Sequence, residues 1–234
     1  MRGSLYWLPI VLLACSVPVE DETPSPAGSD SPDRLWYGHV QSDGEEQPPP
    51  DEPPPDGPPA AVTLEAEWQG QQTGYWCGPG ATRIALSTEM SDPPSQATLA
   101  DFLGTTTAGT DHIGLVRDAL NHYLQTSWFE TKEMYDPPTE AQRDLLAQDI
   151  VLNLSNGHPL VANVVSGWRP LGYPSGTIYH YVAIIGYADG GQSVLIADPA
   201  AEGAAGSSWV NVPRTYWITI WDLGTWIGGK GYTA

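Results

Sequence analysis

Residues 47 to 59 read QPPPDEPPPDGPP, and no other stretch limits the fold as sharply. Proline lacks the backbone N–H that helices and sheet ladders use, and the interleaved acids repel one another, so this run cannot enter a packed core. It divides the chain. Between Ser16 and Ala60 there are 11 Asp or Glu residues against the single Arg34, and 12 prolines. Such a segment buries too little apolar surface to offset the entropy of ordering itself, so 15–60 is expected to be a disordered, acidic, Pro-rich linker. At about 3 Å per residue, some 45 extended residues could hold a domain up to roughly 100 Å from an anchor. The aromatic island RLWYGHVQS, residues 34–42, reads as a bland part of that linker, with docking on the folded domain as the alternative.

The linker is preceded by MRGSLYWLPIVLLA, residues 1–14, with one basic residue and then an apolar run too short to span a bilayer. This pattern fits the h-region of a secretory signal peptide. The following Cys15, after Leu-Leu-Ala, resembles the lipobox of bacterial lipoproteins, in which the signal is cut before the cysteine and its thiol is acylated. An ordinary signal peptide and an uncleaved anchor are the alternatives. All three put the rest of the chain outside the cytoplasm, and lipidation of Cys15 would tether it to a bacterial membrane, at the cell surface or in the periplasm.

The fold is therefore expected in 61–234. That segment has 17 acids against 7 bases and no basic stripe with interleaved aromatics, which argues against nucleic acid as a partner. Its first half carries helical signals. In YWCGPGATRIALS, residues 75–87, Pro79 suits a first helical turn, so a helix should begin at or just after Cys77. SQATLADFLG (95–104), TDHIGLVRDALNHYL (110–124) and TEAQRDLLAQDIVLNLSNG (139–157) supply three more, two of them closing on Gly. After Gly157 the period changes. PLVANVVS (159–166), IYHYVAIIGYA (178–188) and SVLIADPA (193–200) read as strands, with ADGGQ as a hairpin turn between the last two. VTLEAEWQGQ (62–71) reads as a strand or extended entry, and WVNV with TYWITI offer one or two strands more. Helices followed by antiparallel strands predict an α+β domain, a helical lobe against a sheet or half-barrel.

Four residues carry chemistry. A thiol at a helix N-terminus sits beside unpaired N–H groups and the positive end of the helix dipole, both of which favour a thiolate, so Cys77 is the candidate nucleophile. His180 lies within an apolar strand and Asp198 closes the next one across a hairpin. Adjacent antiparallel strands can bring such side chains together, with His180 as general base and acid and Asp198 fixing its tautomer. Gln71, six residues before the thiol, is placed to donate toward a developing oxyanion with the Cys77 backbone N–H, and its neighbours Gln69 and Gln72 share that chemistry. Gly80 is odd within a helix start. No CxxC or close His pair marks a metal site, and no cofactor is expected. His112, His122, His158 and His39 read as surface or boundary residues.

At these residues the chain resembles the papain-like, bacteriocin-processing cysteine peptidases, in particular their stand-alone C39-like branch. The quoted motifs are Gln71 ahead of YWCGP, TTTAGT (105–110), HPLVANVV (158–165), HYVAIIGY (180–187) and ADPA (197–200). The resemblance covers residues 65–234 and implies a papain-like fold, Cys77 as nucleophile, His180 as base, Asp198 as orienter, Gln71 in the oxyanion hole, and a peptide or protein substrate; a monomer is the default expectation. No exporter or ATPase segment accompanies it. Two other readings use the same residues differently: a cell-wall peptide amidase or endopeptidase, or an acyl transferase, and a surface-tethered binding module with an inactive site.

Overall fold

The computed structural model describes residues 57–165 and 168–234. The signal segment, Cys15, the aromatic island and nearly all of the linker lie outside the described residues.

A central strand, β4 (Tyr179–Ala188), organises the domain. The described chain supplies β1 (Val62–Thr63), α1 (Cys77–Leu86), α2 (Gln96–Phe102), α3 (Ile113–Tyr123), β2 (Thr131–Glu133), α4 (Glu140–Ser155), β3 (Leu160–Val165), β4, β5 (Ser193–Ala197), β6 (Thr215–Thr219), α5 (Ile220–Ile227) and β7 (Gly231–Thr233). The sheet is antiparallel with strand order β2-β7-β3-β4-β5-β6, and β1 pairs with one end of β4. Residues 180–187 of β4 are all buried. A strand covered on both faces cannot alternate polar with apolar side chains, which is why it reads as one continuous apolar run.

Two helical layers do the covering. On one face Ile84, Leu99, Val116 and Leu120 of α1, α2 and α3 pack with Tyr181, Ala183 and Ile185. On the other, Leu146, Ile150 and Leu154 of α4 and Leu223, Trp226 and Ile227 of α5 pack with Val182, Ile184 and Ile196. Each such Leu or Ile contributes about 1.5–3 kcal/mol by leaving water. The class is α+β, a helical lobe on an antiparallel sheet as expected, with α4 and α5 added on the far face. No helix among the described residues is long and apolar enough to cross a membrane.

Local chemistry explains most boundaries. Ser95 caps α2 by accepting from Thr98 N at 3.1 Å, and Thr139 with Gln142 forms a reciprocal capping box on α4. The expected 62–71 strand shrinks to two residues, because the pairing with β4 covers Val62 and Thr63 and ends with Leu64 N donating to Ile185 O at 2.8 Å. WVNV, residues 209–212, is turn rather than strand: it folds back on the Ala201–Gly206 turn, with Gly203 N donating to Trp209 O at 3.3 Å. TYWITI splits, ending β6 at Thr219, whose hydroxyl accepts from Asp222 N at 3.0 Å and so starts α5.

Candidate active site

Cys77 is the first residue of α1, and no side chain caps that helix at Trp76. The first-turn N–H groups are thus left without a side-chain partner beside the thiol, at the positive end of the helix dipole. Cys77 is partly exposed while Gly78 to Ala81 are buried. The two glycines admit close neighbours. A Cβ on Gly78 would overlap the Thr110 hydroxyl and lie 2.8 Å from its Cβ, and one on Gly80 would lie 2.7 Å from Pro199 Cβ. Gly80, odd for helix propensity, is the residue that lets the nucleophile helix meet the end of β5.

Across from α1, Ala183 of β4 stands opposite Ala197 of β5, so Asp198 comes level with Val182, diagonally beside His180. His180 Nε2 and Asp198 Oδ1 are 2.9 Å apart, with the residues 2% and 0% exposed. Asp198 Oδ1 also accepts from Ala200 N at 2.8 Å, and its backbone is tied on both sides, N donating to Arg214 O at 2.9 Å and O accepting from Trp68 Nε1 at 2.8 Å. These bonds fix the Asp198 backbone and one of its carboxylate oxygens.

Burial works against charge on both partners, and their mutual attraction outweighs it. Burial pulls the His180 pKa down, but the charge and hydrogen bond of Asp198, with a bond to Cys77 and its charge, push it up to about 10. Burial raises the Asp198 carboxyl, yet His180, Tyr173 and the Ala200 N–H bring it below its usual value. The pairing favours a proton on the imidazole. With Nε2 on Asp198, Nδ1 is the nitrogen left for Cys77. Trp209 lies edge-on to His180 with ring centres 4.9 Å apart, and Tyr173 at 6.2 Å completes the wall.

Gln71 is 6% exposed and sits against Gly80 and Pro199: its N donates to Pro199 O at 2.7 Å, and its Cβ is 3.5 Å from where a Gly80 Cβ would be. Its Nε2 donates to Thr73 O at 2.9 Å, which engages one of two amide hydrogens, and its Oε1 has no partner. Gln69 and Gln72 serve elsewhere. Buried Gln96, at the start of α2, donates to Gln69 Oε1 at 2.8 Å and Gly70 O at 2.9 Å and accepts from Gln72 N at 3.0 Å, pinning the segment that leads to Gln71. The sequence reading passed over Gln96, although a Gln directly after a cap residue was legible as a local anchor. It also passed over Tyr173 and Tyr216, whose hydroxyls donate to Asp198 Oδ2. Tyr173 lies in a loop with no periodic signal.

The remaining described histidines lie apart from Asp198. His158 pairs with Glu89 at 3.0 Å and His122 stacks on Phe102 with ring centres 5.0 Å apart. Among the described residues no group of three or more His, Cys, Asp or Glu is arranged to hold a metal ion.

A helix-borne thiol beside a buried imidazole and carboxylate is an arrangement suited to thiol-based acyl-transfer chemistry, the class to which thiol hydrolases belong. The family follows: residues 63–222 match the model described as the Peptidase_C39 like family, and the chain belongs to it, a cysteine peptidase. Among solved structures, the peptidase domain of Streptococcus ComA, a bi-functional ABC transporter involved in a quorum sensing pathway, is similar at 18% identity over 73% of this chain and 96% of that one, with a TM-score of 0.43. Xylellain, a cysteine protease from Xylella fastidiosa, is similar at 15% identity over 76% of this chain and 86% of that one, with a TM-score of 0.44. No curated protein matches the chain.

Proposed function

We propose that this peptidase cleaves peptide bonds through a Cys77-His180-Asp198 triad and a thioester intermediate. The observation that carries the reading is the fully buried His180–Asp198 pair, 2.9 Å apart, whose imidazole has the Cys77 side chain as its other partner. The Cys77 sulfur attacks the scissile carbonyl carbon, and the C–S bond forms as the carbonyl electrons move to oxygen. Gln71 Nε2, through the hydrogen not given to Thr73, and the N–H groups heading α1 hold that oxyanion. As it collapses the C–N bond breaks, and His180 gives its proton to the leaving amine. Water, yielding a proton to His180, then attacks the thioester and releases the acid and the free thiol. Asp198 keeps the imidazole in the orientation both steps use.

The folded unit is residues 61–234, working alone as a monomer. It acts outside the cytoplasm on peptides or proteins, held to a membrane by acylated Cys15 through the 15–60 linker. The acidity and proline content of that linker and the apolar run ahead of Cys15 support this placement. The test is cleavage of fluorescein-labelled casein by the full chain and by Cys77→Ala, with the mass of the Cys15 peptide recorded from bacterial membranes. Wild-type cleavage absent in Cys77→Ala, with an acylated Cys15, is the expected result. Equal cleavage by both proteins would remove Cys77 as nucleophile, and an unmodified Cys15 would remove the anchor.

A further inference from the structure

Asp198 uses Oδ1 for His180 and the Ala200 N–H, which leaves Oδ2 facing away from the imidazole in a fully buried place. Two phenols converge on that oxygen. Tyr173 donates from the loop between β3 and β4, Tyr216 donates from β6 at 2.9 Å, and the two hydroxyl oxygens are 3.1 Å apart. We propose that Tyr173 and Tyr216 are positioning residues for the peptidase reaction, clamping Asp198 Oδ2 so that the carboxylate stays ionised and Oδ1 stays turned toward His180. This rests on the triad reading above.

An ionised carboxylate offers about four acceptor positions, and leaving half of them unmet in a dry site favours protonation of the acid and lets the group rotate. Neutral donors suit the task. A Lys or Arg on Oδ2 would cancel the charge that His180 needs, whereas a phenol satisfies the lone pairs and leaves the negative charge in place. Both phenols remain donors, since burial and the charge of Asp198 hold them well above their ordinary pKa. Tyr173 is closely packed. The Tyr173 ring lies 4.7 Å from Trp209 and 5.4 Å from Trp226 between ring centres, and a Cβ on neighbouring Gly172 would come 2.8 Å from Asn211 O. The other ionisable groups facing Asp198 are His180 on β4 and Cys77, beyond it, on α1; Arg214, before β6, is engaged by Glu202 at 2.8 Å.

The experiment uses the full chain with 13C-labelled aspartate, and compares wild type with Tyr173→Phe, Tyr216→Phe and His180→Ala. The Asp198 carboxyl resonance, assigned with Asp198→Asn, is titrated while casein cleavage and thermal unfolding are followed in parallel. Loss of one donor to a charged group should raise the Asp198 midpoint by about one pH unit and lower kcat about tenfold with KM little changed. An unmoved midpoint in both Phe variants, or activity loss that only tracks a fall in Tm, would overturn the clamp. If wild type does not cleave casein but the midpoint still rises in the Phe variants, the clamp stands and the peptide-bond reading fails. If His180→Ala leaves the midpoint where it was, the pairing is absent and the clamp falls with it.

Discussion

Replacing Gly80 with alanine should damage this enzyme even though it improves the helix that carries the nucleophile. On propensity alone the change favours α1 by about 1 kcal/mol. The added Cβ, however, would lie 2.7 Å from Pro199 Cβ, where a comfortable carbon contact is about 3.5–4.0 Å. Something must yield by about 1 Å. Pro199 cannot give freely, because its carbonyl accepts from Gln71 N at 2.7 Å and its neighbours are tied through Asp198 N to Arg214 O at 2.9 Å and Ala200 N to Asp198 Oδ1 at 2.8 Å. Overpacking of this kind costs about 1–3 kcal/mol, so net stability should fall by up to about 2 kcal/mol. The larger effect is on rate, since a displacement of about 1 Å between α1 and the end of β5 can cost about 100-fold. Urea unfolding and casein cleavage of Gly80→Ala measure the two terms, with Gly74→Ala, whose Cβ would meet nothing within 4 Å, as a stability control. A Gly80→Ala protein that is more stable than wild type and fully active would refute the reasoning.

Further outcomes follow from the same geometry. His180→Ala leaves Asp198 charged, buried and without its cation, and should cost about 3–5 kcal/mol in urea unfolding near neutral pH. Because the folded His180 pKa is raised to about 10 from an ordinary 6.5, its stabilisation is fully present below about 6.5 and is lost as pH climbs toward 10; that of Asp198, whose pKa is lowered, is present above about 3.9 and is lost in acid. Wild-type stability should therefore fall on the alkaline side more steeply than that of His180→Ala, as urea midpoints across pH 6 to 10.5 would reveal. Thr139→Ala removes the capping box of α4 on the far face and should cost about 1 kcal/mol with cleavage unchanged, checked by paired unfolding and activity curves. Dialysis against a chelator should leave casein cleavage unaltered, because every group that the protein contributes to the proposed steps is a side chain or backbone amide.

How far the sequence anticipates these features depends on whether a feature is local. The start of α1 at Cys77, the helices closing on Gly104 and Gly157, and the turn between β4 and β5 are local chemistry, and each was legible from residue type and spacing. The His180–Asp198 contact was legible one step further, since a hairpin fixes which residues of two strands face each other. β7 was not, because Gly231–Thr233 carries no pattern of its own and is defined by β2 and β3, strands distant along the chain. WVNV has strand-like residues but folds into turns that place Trp209 against His180 and Tyr173, a tertiary override of propensity. Tyr173 and Tyr216 escaped for the same reason, as their target belongs to a third element. The purpose of Gly80 emerged only with Pro199 in view.

Whether His180 activates Cys77 can be read from the rate of Cys77 alkylation by iodoacetamide between pH 5 and 10, in the full chain and in His180→Ala. Peptide mapping by mass spectrometry separates Cys77 from Cys15. Alkylation of Cys77 should be slower in His180→Ala than in wild type by about tenfold or more, because the side chain that activates the thiol has gone. Equal rates in the two proteins at every pH would mean that the thiol and the imidazole do not act together, and would contradict the account.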